Sequence, residues 1–210
     1  MWLPDVIGDR RVILGSSSPR RAEILKTNLG VSQFEVFPSQ FAEDLPKVGK
    51  TVEQYVSQTC RCKAEEITTR LKGDEPYVLI CCDTVIDCDG KVREKPKTPE
   101  RQREMIQEYR NLGDIRVISA VTVIAGSGAG RIEGEATGVC TTRLKFNSQV
   151  DDSWIDQYVA SGEGLEVAGG FKYQEKGSYI FENIEGDYFN IVGLPVATTH
   201  RLIEQVLTKN

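Results

Sequence analysis

One run constrains the fold more than any other: YVLICCDTVIDC, residues 77–88, is apolar almost without a break. A strand with one face in water alternates polar and apolar side chains, whereas a strand covered on both faces reads as near-continuous Val, Ile and Leu. The run is therefore expected at the centre of a sheet. The first carboxylate in it, Asp83, needs a partner there, and a divalent metal, an activated water or a lysine would each supply one.

The pattern on either side is consistent with such a sheet. Strands are expected near 11–15, 34–38 and 77–87, and helices near 19–29, 51–72 and 99–112, giving the order βαβαβα. Two long β-rich stretches follow, 115–125 and 132–146, joined by GSGAGR. A helix near 151–160, further short strands and a closing helix near 195–207 complete the chain. This is an α/β fold, a mixed sheet with flanking helices. No repeat or long Pro/Gly/Ser linker divides its 210 residues, so residues 1–210 read as a single domain with room for two lobes around a cleft.

Composition narrows the function classes. The hydrophobic share of 40% and charged share of 27% are those of an ordinary folded protein. A net charge of -5 argues against a general nucleic-acid or anionic-membrane surface, so any polyanion must be met in a local pocket. The start MWLPDVIGDR lacks a basic region followed by an apolar stretch, and no segment approaches the ~20 apolar residues of a membrane span. Cys60 and Cys62, and Cys81 and Cys82, are too closely spaced for disulfides with each other or for structural zinc, so the cysteines are expected reduced and the protein cytoplasmic.

Three features have ordinary explanations. Gly126, Gly128 and Gly130 imitate a dinucleotide fingerprint, but a strand-like stretch follows where a helix should begin. DCDG, residues 87–90, reads as a hairpin turn and lacks a full calcium loop. His200, the one histidine, falls near Val196 and Ile203 on the last helix, which suits partial burial. Triads and relays that depend on histidine are thereby nearly excluded.

The chemistry concentrates elsewhere. In GSSSPRR, residues 15–21, Ser18 is expected to cap a helix with Pro19 at its first position. The helix N-terminus, with Ser16, Ser18, Arg20 and Arg21, offers donors matched to phosphate oxygens. Arg21 shares a side with Ile24, Leu25 and Leu29 and is expected to point inward. On the helix TVEQYVSQTCRCKAEEITTRL, Val52, Tyr55, Val56, Thr59, Ile67 and Leu71 form one stripe with Lys63 in its middle. An ammonium there must snorkel out or meet an anion. Beyond the central strand, Lys95 lies in a constrained Lys-Pro step before a helix capped at Thr98-Pro99.

These segments together resemble the Maf-like nucleoside triphosphate pyrophosphatases over almost the whole chain. GSSSPRR is similar to that family's S-x-S-P-R-R loop, FEVFPSQFAED to its F-x-V-x-x-S-x-x-x-E segment, YVSQTCRCKA to its A-x-x-K-A helix and CCDTVI to its A-D-T-V-V strand. EKP, AGGFKYQ and GDYFNIVGLP follow in the family's order. Cys82 and Cys60 depart from its alanines, and RLKF follows TT where Glu-Thr is usual; no charged catalytic position is lost. The resemblance implies an α/β fold with a deep cleft between two lobes, commonly a homodimer. It also implies cleavage of a nucleoside triphosphate between the α and β phosphates with Mg²⁺ or Mn²⁺. Ser16, Ser18, Arg20, Arg21, Lys63 and Lys95 would hold the triphosphate, Glu43 and Asp83 the metal, and Asp83 would accept a proton from the attacking water. Lys63 and Lys95 thereby join Asp83 as catalytic groups. Arg20, Thr84 and Gln174 match the branch acting on dTTP and UTP, where the branch acting on 7-methyl-GTP tends to have Trp, Gln and Glu. The competing reading is a nucleotide-binding regulator of cell division without turnover.

Overall fold

The computed structural model describes residues 2–208 except Ala129. The centre of GSGAGR and the outermost ends of the chain therefore lie outside the described residues. The elements in chain order are α1 (Leu3–Ile7), β1 (Arg11–Leu14), α2 (Pro19–Thr27), β2 (Glu35–Val36), α3 (Val52–Arg70), β3 (Tyr77–Cys88) and β4 (Lys91–Arg93). They continue with α4 (Pro99–Leu112), β5 (Asp114–Ser127), β6 (Arg131–Phe146), α5 (Asp152–Ala160), β7 (Phe181–Glu185), α6 (Tyr188–Val192) and α7 (Val196–Leu207). The seven strands form a mixed sheet ordered β2-β1-β3-β5-β6-β7, with β4 paired to β3. The expected α/β class and mixed sheet are both present.

Two compact units divide the chain: one takes residues up to Asp83, Ser119–Cys140 and those from Gly193 onward, the other Thr84–Ile118 and Thr141–Val192. Strands β3, β5 and β6 each pass from one unit into the other. In the first unit β1 pairs in parallel with β2 and with β3, Leu14 standing opposite Val36 and Ile80. The β3 residues Tyr77 to Cys82 are all buried, as their unbroken apolar character requires. The α3 stripe is buried from Val52 to Leu71, with Cys60 and Ala64 filling it out, and α1 packs on α7.

The second unit has its own core, in which Ile86, Ile106, Tyr109, Ile115, Leu144, Phe146 and Phe181 are buried together. Phe171 and Phe181 meet edge-on at 4.7 Å, a favoured aromatic arrangement. The DCDG turn joins β3 to antiparallel β4, and Asp87 Oδ1 accepts from the Gly90 N–H at 2.7 Å. β6 pairs antiparallel with β7 through an irregularity between Lys145 and Phe146, and α4 packs against α5. Helix α4 begins and ends where its sequence signals stand: the Thr98 hydroxyl accepts from Arg101 N–H, Pro99 opens the helix, and Gly113 closes it at φ +87°.

Candidate active site

The strand-to-helix corner after β1 is built around a glycine for want of space. The Gly15 N–H donates to Ile80 O at 2.8 Å, extending the parallel pairing one residue beyond β1. A Cβ at Gly15 would stand 2.3 Å from Cys81 Sγ and 2.8 Å from Ile67 Cδ1, so any larger residue would have to displace these buried side chains. Ser16 follows, buried, its Oγ accepting from Ser18 N–H at 3.2 Å and from Arg21 Nη1 at 3.0 Å. Ser18 caps α2, its Oγ accepting the Arg21 N–H at 3.5 Å, and Pro19 takes the first helical position. The Arg21 side chain points inward as expected and also donates through Nε to Gly193 O at 2.8 Å. That carbonyl accepts from Cys82 Sγ as well, at 3.2 Å. Arg20 lies half-buried in the first turn of α2.

The lysine on the α3 stripe does meet anions. Lys63 Nζ lies 2.6 Å from Asp83 Oδ1 and 2.8 Å from Glu43 Oε1. Lys63 and Asp83 are 8% and 6% exposed, while the Glu43 side chain is 50% exposed, so a line of three charges runs from solvent into the core. Burial alone would lower the Lys63 ammonium, but the carboxylates of Asp83 and Glu43 hold it above the usual lysine range. Burial raises the Asp83 carboxyl above the usual aspartate range, with Glu43 adding to the rise while Lys63 and Arg21 oppose it. Arg21, held in the corner by Ser16, thus also favours the ionised form of Asp83.

Glu43 is carried by a segment whose anchor on α3 is not evident from its own residues. Glu66 of α3 accepts from Ser39 Oγ at 2.8 Å and Gln40 N–H at 2.9 Å, and pairs with Arg70 one turn on. Arg70 in turn donates to Pro38 O at 2.8 Å and stacks its guanidinium 4.5 Å from the Phe37 ring centre. The i, i+4 spacing of Glu66 and Arg70 was the available signal, but it is indistinguishable from an ordinary solvated helix pair.

Glu43 and Asp83 are hard oxygen donors that already converge on one positive group, so they fit a hard divalent cation. Among the described residues no group of three or more His, Cys, Asp or Glu could hold a metal alone. A cation on these two carboxylates would complete its shell with water and substrate oxygens, the habit of Mg²⁺ more than of a closed protein cage.

Thus the first unit brings together Ser16, Ser18 and Arg21 at the corner, and Glu43, Lys63 and Asp83 in the charge line. Thr84, Lys95 and Gln174 belong to the second unit. Thr84 is half-buried directly after Asp83 on β3; Lys95 is exposed in the step between β4 and α4; Gln174 is exposed in the turn after Phe171. His200 is partly exposed beside Glu204, with Nδ1 3.5 Å from Oε2. Gly128 and Gly130 adjoin the β5-to-β6 connection at positive φ, where no helix follows.

Comparison with known proteins gives a consistent answer. A family profile described as Maf-like protein matches residues 11–206. A dTTP/UTP pyrophosphatase of Saccharomyces cerevisiae is 37% identical over 216 residues, covering 94% of this chain and 93% of the relative. Those of Schizosaccharomyces pombe and Methanosarcina mazei are 34% and 35% identical, covering 95% and 94% of this chain and 85% and 94% of their own lengths.

Proposed function

The chain belongs to the Maf-like protein family, and from that membership we propose that it is a nucleoside triphosphate pyrophosphatase hydrolysing dTTP and UTP to the monophosphate and pyrophosphate. The observation that carries the reading is the buried ammonium of Lys63 held between Asp83 and Glu43. Binding a nucleotide without turnover would be served by the cationic corner alone; a buried acid with raised proton affinity beside that corner serves hydrolysis.

Water attacks the α-phosphorus, the bond to the bridging oxygen breaks, and pyrophosphate leaves with that oxygen. One proton of the water passes to the Asp83 carboxylate, whose elevated proton affinity suits a general base. Ser16, Ser18, Arg20 and Arg21 bind phosphate oxygens through hydroxyl, guanidinium and helix N-terminal donors. Lys63 holds Asp83 in place and, with Lys95, neutralises charge developing on the phosphates. Glu43 and Asp83 would hold Mg²⁺ or Mn²⁺, which when bound supplies charge neutralisation across the phosphates. Thr84 and Gln174, with Arg20, select the base. The Gln174 amide can both donate to and accept from a uracil or thymine edge, whereas a carboxylate suits only donors.

In this reading residues 1–210 act as one functional domain, a cytoplasmic homodimer that meets neither nucleic acid nor membrane and removes unwanted nucleotides from the pool. Measuring kcat/KM for dTTP, UTP, CTP, GTP and 7-methyl-GTP side by side tests it. The expected result is a preference of order 10²-fold for dTTP and UTP over 7-methyl-GTP, reduced by Gln174→Glu; a preference for the methylated purine would reverse the substrate assignment.

A further inference from the structure

We propose that Gln102 and Tyr109 are positioning residues for Lys95: from α4 they clamp the 163–170 loop, and that loop fixes the backbone on both sides of Lys95. The inference rests on the part given to Lys95 in the proposed reaction, but its observations lie in the second unit and are independent of the charge line at Lys63.

The inward face of α4 is Gln102, Met105, Ile106 and Tyr109. An amide in that row is anomalous, because Gln102 is 0% exposed and its Oε1 has no hydrogen-bond partner among the described residues. A leucine would fill the space without an unpaired acceptor, so the amide destabilises the core unless its donors are needed. They are both used: Nε2 donates to Glu163 O at 2.5 Å and to Gly170 O at 2.7 Å, gripping the two ends of the loop. The Tyr109 hydroxyl donates to Gly169 O at 3.0 Å. The packing leaves no slack, since a Cβ at Gly164 would stand 2.3 Å from Gly170 O and 2.8 Å from Gln102 Nε2.

The clamped loop then reaches the Lys-Pro step. The Gly169 N–H donates to Glu94 O at 3.0 Å, and the Lys97 N–H donates to Leu165 O at 3.2 Å. These two bonds bracket Lys95 and Pro96 in the sequence. Pro96 is buried, and a Cβ at Gly170 would come within 3.3 Å of its ring. Lys97 is held at φ +64°, a left-handed conformation that a lysine adopts only when its surroundings impose it. The Lys95 side chain is thus exposed on a backbone held by hydrogen bonds on both sides, the condition under which a cationic group is useful to a developing charge.

The test uses the full chain with dTTP and Mg²⁺, comparing Gln102→Leu and Tyr109→Phe, each alone and combined with Lys95→Ala, and following amide exchange at Gly169 and Lys97. We expect Gln102→Leu to lower kcat about 10-fold and Tyr109→Phe about 3-fold, with both amides exchanging faster; in the Lys95→Ala background either change alters kcat less than about 2-fold. Losses that persist in full without the lysine, or amide exchange that does not change, overturn the proposal. Should Gln102→Leu fail to fold, Tyr109→Phe, which removes one hydroxyl, decides alone. A Lys95→Ala protein with wild-type kcat overturns the role of Lys95 and the positioning proposal with it, and since its clamp is intact that failure is distinguishable from a failure of the clamp.

Discussion

Asp83 and Lys63 are each tolerable in the core because of the other. Removing the ammonium alone strands a carboxylate that is 6% exposed, and breaking a buried pair in this way commonly costs about 3–5 kcal/mol. Lys63→Met should therefore lower the melting temperature at neutral pH. Without the ammonium, burial leaves the Asp83 carboxyl raised still further above its unfolded value. The stability deficit should then shrink as pH falls and the acid is protonated, and grow as pH rises. Adding Asp83→Asn should recover most of the loss. Asp83→Asn by itself should fold and lose about 10²–10⁴-fold in kcat; thermal melts from acid to neutral pH and kcat on all three variants check both statements. A Lys63→Met protein as stable as wild type at neutral pH would show that the ion pair has no such weight.

At the scale of elements, segment 38–43 depends on α3 through Glu66. The hydrogen bond from Arg70, aided by those from Gln40 and Ser39, holds the Glu66 carboxyl below the usual glutamate range. A depressed folded value contributes stability above the unfolded value of ~4.3, which is lost as pH falls through the folded one. Glu66→Gln should cost ~1–2 kcal/mol at neutral pH, with the difference from wild type closing under acid, and should raise KM for the metal through a looser Glu43. Denaturant melts at neutral and acid pH read the first effect; an equal deficit at both pH values would contradict it. Elements of this kind differ in how legible they are in the sequence. Helix α4 matches its expected 99–112 because Thr98, Pro99 and Gly113 mark both ends. The expected strand near 34–38 shrinks to Glu35–Val36, although Phe37 N–H still donates to Leu14 O at 2.9 Å. Leu3–Ile7, Lys91–Arg93 and Tyr188–Val192 are too short to show a period. Lys63 reads as a group that must snorkel out or meet an anion because it interrupts an apolar stripe, and the structure supplies the anions. Gln102 interrupts one in the same way, but a neutral amide carries no demand for a partner of known sign, and its partners are backbone carbonyls some sixty residues on.

For the molecule as a whole, none of the six cysteines, all of them among the described residues, forms a disulfide; Cys60, Cys81, Cys82 and Cys88 are buried, and Cys62 and Cys140 are half-buried. Burial pushes the Cys60 thiol up to about 12 and the Cys81 thiol well above its usual value. Reactivity follows the thiolate, so a thiol titration should count two accessible groups in the native protein and six after unfolding. No helix among the described residues is long and apolar enough to cross a membrane. In the proposed reaction the corner at Ser16–Arg21 and the charge line at Asp83 together cut the α–β anhydride. The most direct measurement is product identity: purified protein, dTTP and Mg²⁺ in ¹⁸O-labelled water, with the products resolved by mass spectrometry. The expected products are dTMP carrying the label and unlabelled pyrophosphate in equal amounts; dTDP with orthophosphate, or no turnover at all, would rule that reaction out.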